Sequence, residues 1–360
     1  MFCVVFMHCA FEGLRIPTAE IDLGWHITNI LTSVSFSAVP LFFMISGYLL
    51  FSSERTCDIR YLLTKRLPKL AVPLIVYSAL ATLVNIYREG NFGLVSFLTS
   101  FALAGTRPVM VHFWFMYTLI GMYLIAPVIY GGITGLSGEG RKYLFSLCAV
   151  ILITTTVFVI LPNDIQKYVP YKIFYDLGFF GGHIVALILG YLLGSMKRKI
   201  SNTALLLIAL FDLFIIIFMT WRVTLSHGEF TQTYLSQRHG FEVLLAACIF
   251  LIAKQNLNRP IKWVSETIKP VCALSFPIYL LHNVLLAIWN FAVGKNLFPT
   301  SPARICLLTL VTVIICYLSL KTVATVKPLC YMFTGLSYKS ASESANWVYT
   351  FRKIKEKKSR

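Results

Sequence analysis

Long apolar runs separated by short polar or basic segments set the pattern of this chain. Nine of them approach the roughly twenty residues that a membrane-spanning helix needs. They cover about 26–50, 69–87, 111–131, 144–161, 173–195, 204–221, 239–253, 271–293 and 303–325, and the seventh is short. An apolar stub, Met1 to Met7, precedes them and meets His8 at once. Seven residues at about 1.5 Å each cover only a third of a roughly 30 Å hydrocarbon core, so the first helix is expected to be truncated or re-entrant. The stretch 92–106 is also apolar, but Gly93 and Gly105 break it, which predicts an interfacial or re-entrant segment. The expected fold is therefore all-α: a polytopic integral membrane protein of about ten helices over 1–325, with a basic tail over 326–360.

Composition agrees with the pattern. Hydrophobic residues make up 57% and charged residues 13%, against about a quarter charged in soluble domains. The net charge of +17 invites a nucleic-acid partner, but the cations lie in short clusters between apolar runs, as loops of a membrane protein do. Of the 32 Lys and Arg, 23 fall in one alternating set of segments (51–70, 132–143, 196–202, 254–270, 321–360). By the positive-inside rule that set, and both termini with it, is expected to be cytoplasmic. The end of the chain, Arg352 to Arg360, then reads as a solvated basic tail near anionic lipid headgroups. Nine cysteines show no C-x-x-C pair and no zinc-like spacing with histidine, so neither metal nor disulfide is expected.

The polar residues inside apolar runs are the candidates for chemistry. His8 could take a proton from a hydroxyl near neutral pH, or be an interfacial histidine bonded to a neighbouring helix. Arg66 and Lys69, three apart, share a helix face near Arg60 and Lys65; they suit the phosphates of a nucleotide-like cofactor, or record topology alone. His112 opens an apolar run beside Trp114, itself a natural interfacial anchor, and is expected in the same outer layer as His8. Ser275, Tyr279 and His282 form one stripe on a helix expected to kink at Pro277; in lipid such a stripe lines a cavity or glues two helices. Asp212, His183, Arg238, His239 and Glu242 are further groups at membrane depth, open to a proton relay or to helix pairing.

Four motifs, Phe42-Phe43-Met44-Ile45-Ser46-Gly47-Tyr48, Arg66-x-x-Lys69-x-x-x-Pro73, His112-x-Trp114-Phe115 with Tyr123 and Pro127, and Ser275-x-x-x-Tyr279-x-x-His282, come in one order. In that order and spacing the chain resembles the integral-membrane acyltransferase 3 family, most of all its enterobacterial common antigen O-acetyltransferase branch. The resemblance covers most of the chain and is weaker from 130 to 260. It implies transfer of an acetyl or other short acyl group from cytoplasmic acyl-CoA, as co-substrate, to a sugar hydroxyl of a surface glycan or its lipid-linked precursor. The setting it implies is a bacterial inner membrane, with lipid as the other partner and no nucleic acid. The family's first-helix histidine falls on His8, and its paired basic motif on Arg66 and Lys69, with Lys replacing the second Arg. The resemblance further implies an acyl arm entering past Ser46 and Gly47, His8 and His112 activating the acceptor, and Trp114, Ser275, Tyr279 and His282 lining its cavity. A family arginine before the histidine would fall upstream of Met1, which predicts an earlier start or a shortened allele. The alternative is a glycan transporter or flippase, whose repeated halves with matched broken helices are not seen.

Overall fold

The computed structural model describes residues 1–161, 165, 183–237, 239–257, 262–294 and 300–358, and these are helical with no strand among them. The helices in order are α1 (Phe2–Leu14), α2 (Leu23–Phe36), α3 (Ala38–Phe51), α4 (Leu67–Arg88), α5 (Leu94–Ala102), α6 (Trp114–Thr134), α7 (Gly138–Ile160), α8 (His183–Ser195) and α9 (Asn202–His227). They continue with α10 (Gly240–Asn256), α11 (Lys262–Ala273), α12 (Ser275–Val293), α13 (Pro302–Val323), α14 (Lys327–Thr334), α15 (Tyr338–Ser344) and α16 (Trp347–Lys358). Among the described residues seven stretches are long and apolar enough to cross a membrane: Leu23–Phe51, Ile59–Arg88, Val111–Thr134, Gly138–Phe158, Asn202–His227, Ser275–Val293 and Pro302–Val323. These match seven of the expected spans. Of the other three, the stub continues through His8 as the 13-residue α1, and the run at 239–253 becomes the 17-residue α10. The run at 173–195 is described only from His183, its first ten residues lying outside the described ones, as does Arg238.

Proline decides where the long helices bend. Pro40 has no N–H for the Phe36 carbonyl, and α2 ends at Phe36. Ser37 joins α2 to α3 with its hydroxyl donated to Val34 O (2.7 Å). Pro277 likewise cannot serve the Ala273 carbonyl, so α11 stops at Ala273 and α12 restarts after Leu274. The kink expected at Pro277 is therefore a break three residues earlier, with the proline in the first turn, where an N–H has no partner to lose.

The tightest helix pair is α3 against α8. A side-chain carbon added at Gly47 would overlap the Leu187 carbonyl, and one at Gly190 would overlap the Met44 backbone. Small residues that let backbones meet are the usual adhesive between helices in lipid, where no hydrophobic force draws them together. Gly47 is buried in this contact, so on the Gly47 side the opening expected at Ser46 and Gly47 is filled by α8.

The first part of the segment expected as a basic tail, ahead of the end read as solvated from Arg352, packs on the bundle. Cys330, Ala341, Ala345 and Asn346 are fully buried. Asn346 donates to Ala324 O (3.2 Å), the Trp347 indole donates to Thr322 Oγ1 (3.1 Å), and the Lys321 ammonium lies 4.2 Å from the Trp347 ring. Pro73 frees the Lys69 carbonyl from its helical bond, and Gly335, at φ +68, sits against that carbonyl so closely that a side chain would overlap it. Both the left-handed φ and the close approach call for glycine there. Phe333 meets Tyr77 edge to face at 5.8 Å, which seats α14 on α4.

Candidate active site

Three histidines from three elements meet near the middle of the bundle. α1 supplies His8; its Val5, Phe6, Cys9 and Ala10 pack with Leu286, Ile305 and Val313. Its end is pinned by the Trp25 indole, which donates to Leu14 O (3.1 Å). The turn Val111–Phe113 supplies His112 and α12 supplies His282. Ring centroids are 5.2 Å apart for His8–His282, 4.7 Å for His112–His282 and 5.9 Å for His8–His112.

Their hydrogen bonds differ in a way that assigns their protons. His112 Nε2 lies 3.3 Å from Leu280 O, and Asn283 Nδ2 lies 3.1 Å from His112 Nδ1. A carbonyl only accepts, so in neutral His112 the proton is on Nε2 and Nδ1 accepts from the Asn283 amide. Both nitrogens are spent, and the Tyr279 hydroxyl donates to the His112 carbonyl as a third tether. His282 Nδ1 is 2.6 Å from Tyr279 O, while its Nε2 is buried with no hydrogen-bond partner. Neither nitrogen of His8 is hydrogen-bonded among the described residues.

His8, His112, Trp114 and Tyr279 border a cavity of about 530 Å³, a size typical of small-molecule sites. Met7, Phe11, Phe36 and Val39 give it apolar walls, and Arg15, Gln232, Ser236, Gln237 and Asn283 supply polar groups. Arg15 is held by Glu12 at 3.2 Å. A neutral imidazole with unspent nitrogens, facing such a space, can take a proton from an alcohol placed there.

The cations occupy the other end. Ile59–Tyr61 begins a span, a π-helical turn Leu62–Arg66 follows, and α4 continues it. Arg66 Nη1 donates to Thr56 Oγ1 (3.0 Å), whose own hydroxyl donates to Leu50 O at the end of α3. The Arg66 guanidinium also lies 5.5 Å from the Tyr61 ring. Lys69, Arg60 and Lys65 are exposed and Arg66 is half-buried. Among the described residues none of the four is in an ion pair, so their charge is available to an anion.

A family model for acyltransferase 3, described as an acyltransferase domain, matches residues 1–321. The chain belongs to the acyltransferase 3 family. It is an acyltransferase carried on membrane-spanning helices. No curated protein and no solved structure matches it.

Within this acyltransferase, His8, His112, Trp114 and Tyr279 come together on one cavity, with His282 directly behind them. His112, expected in the same layer as His8, packs beside Leu280 and Asn283 of α12. Trp114 stacks on His183 at 4.8 Å as well as bordering the cavity. Ser275 is apart from the cavity, its hydroxyl donated to Cys272 O (2.8 Å) by the break before α12. Ser46 and Gly47 do not border the cavity, and neither do Arg66 and Lys69. Asp212 and Glu242 are buried on α9 and α10, outside it. Asn283, Arg15 and the 232–237 loop are cavity residues that sequence patterns did not single out. Asn283 extends the Tyr279 face by one helical turn and was detectable; the loop carries no motif.

Proposed function

We propose that this acyltransferase moves an acetyl or other short acyl group from cytoplasmic acyl-CoA to a sugar hydroxyl of a bacterial surface polysaccharide or its lipid-linked precursor. The nearest branch is that of the enterobacterial common antigen O-acetyltransferases, with about ten spans in the inner membrane and both termini cytoplasmic. The observation that carries this reading is one bundle holding both halves of the chemistry: a cavity-facing imidazole with unspent nitrogens, and a face of unpaired cations. α6 links them. His112 precedes it and Tyr123, within electrostatic reach of Arg66, lies about 16 Å along its axis. Arg66 and Lys69 hold the CoA phosphates, Arg by its fork and Lys as a point charge. The acyl arm runs beside α6 to the cavity, since Gly47 is closed by α8.

His8 takes the acceptor's hydroxyl proton as that oxygen attacks the thioester carbon. The C–S bond breaks, the thiolate leaves, and the proton held on His8 passes to sulfur. The step balances with no metal and no net proton.

The test is mass spectrometry of surface glycans from a deletion strain with and without this chain. An acyl mass that disappears and returns on complementation is expected. An unchanged acyl content together with glycan retained inside the cell would overturn the reading in favour of transport.

A further inference from the structure

Of the three clustered histidines only His282 keeps a bare, buried nitrogen that nothing in the protein uses. Its Nδ1 is within 2.6 Å of Tyr279 O and must donate, so in the neutral ring Nε2 carries a lone pair. That nitrogen is buried in a residue with no exposed surface and has no partner. A buried acceptor left without a partner forfeits the hydrogen bond it would make to water, so it calls for a donor. Two other imidazoles lie beside it. His112 is excluded, because its single N–H is committed to Leu280 O and its other nitrogen accepts from Asn283. His8 remains, its ring 5.2 Å from that of His282 and both nitrogens uncommitted. Two imidazoles joined by an N–H···N bond have centroids roughly 5 Å apart when the bond runs along the line between them.

We infer that His282 is a positioning residue for His8: its Nε2 accepts the N–H of His8, fixing the His8 tautomer whose bare nitrogen faces the cavity. This rests on His8 being the base in the acyl transfer proposed above. The His8 ring turns slightly to close the bond as the acceptor fills the cavity. When His8 takes the hydroxyl proton, the His282 lone pair holds the resulting imidazolium; when the thiolate leaves, that proton goes from His8 to sulfur. His282 itself gains and loses nothing. The layout follows the general rule that a base is oriented by a third group behind it, with a neutral imidazole in place of the usual carboxylate. Tyr279 serves both rings, its carbonyl fixing His282 and its hydroxyl the His112 backbone.

Two conservative variants separate this role from packing. His282→Asn keeps an N–H for Tyr279 O but has no acceptor at the Nε2 position; His282→Gln places an amide oxygen there. Both are to be purified in detergent, checked for folding by size exclusion and melting temperature, and assayed for kcat and both KM values beside His8→Ala. The inference expects His282→Asn to lose about 100-fold in kcat with both KM values within about twofold, and His282→Gln to recover at least tenfold of that loss. Wild-type kcat in His282→Asn overturns it, as does equal loss in the two variants with folding intact. Should either variant fail to fold, ring ¹⁵N shifts of His8 in the wild-type protein decide: one protonated and one bare nitrogen are expected, and rapid exchange between tautomers overturns the inference. Activity surviving in His8→Ala would instead remove the base itself, a different failure from an inactive His8→Ala beside an unaffected His282→Asn.

Discussion

The histidine end and the cation end of this protein are built on opposite principles. At the first, short side chains are buried and tied to backbone: His112 is held by Leu280 O, Asn283 and Tyr279, and His282 by Tyr279 O. At the second, long side chains stand partly in the open, and Arg66 has one side-chain hydrogen bond, to Thr56. The difference suits the two tasks proposed for them. Proton transfer needs its donor and acceptor placed to within a few tenths of an ångström and gains from groups fixed beforehand; a phosphate-bearing ligand needs charge within reach, and exposed cations provide it.

Perturbing each end should therefore change different observables. The largest effect is expected from His8→Ala, with acyl transfer lowered by about 10²–10⁴-fold and membrane insertion unchanged, checked by turnover and by protease protection of the inserted protein. Gly47→Val disturbs the scaffold that carries both ends. Its side chain would be driven into the Leu187 backbone, an overpacking costing about 1–3 kcal/mol or more, seen as a lower melting temperature in detergent. Arg66→Ala should raise the KM for acyl-CoA about tenfold and leave kcat nearly unchanged, the mark of lost ground-state binding; Arg66→Lys should fall between. Lys69→Ala should raise that KM by about two- to threefold, less than Arg66→Ala, since an exposed point charge contributes less than a half-buried bidentate one. A kcat effect from Arg66 as large as that from His8 would erase the distinction between the two ends.

Much of the layout was legible in the sequence because lipid imposes it. Apolar runs of spanning length led to seven of the expected spans, and ionisable residues inside apolar runs pointed to His8, His112 and His282. What was not legible depends on non-local packing. Gly47 next to Ser46 reads equally well as an opening or as a contact, and only α8, some 140 residues away in sequence, decides for contact. Ser275 shares the helical stripe of Tyr279 and His282, but the break at Leu274 turns its hydroxyl to Cys272 O. The basic segment after 326 resembles a tail because its helices are short and polar; Phe333, Asn346 and Trp347 reveal their burial and tethers only once α4 and α13 are beside them. The 232–237 loop reaches the cavity by tertiary folding that no local pattern records.

The claim on which the account turns is that chemistry and donor binding are divided between the two ends. Acyl-CoA binding and single-turnover acyl transfer, measured side by side on His8→Ala and Arg66→Ala in lipid nanodiscs, address it most directly. His8→Ala should bind acyl-CoA as the wild type does and transfer nothing, whereas Arg66→Ala should bind weakly and transfer normally once saturated. Loss of acyl-CoA binding in His8→Ala, or transfer at the wild-type rate without that imidazole, would contradict it.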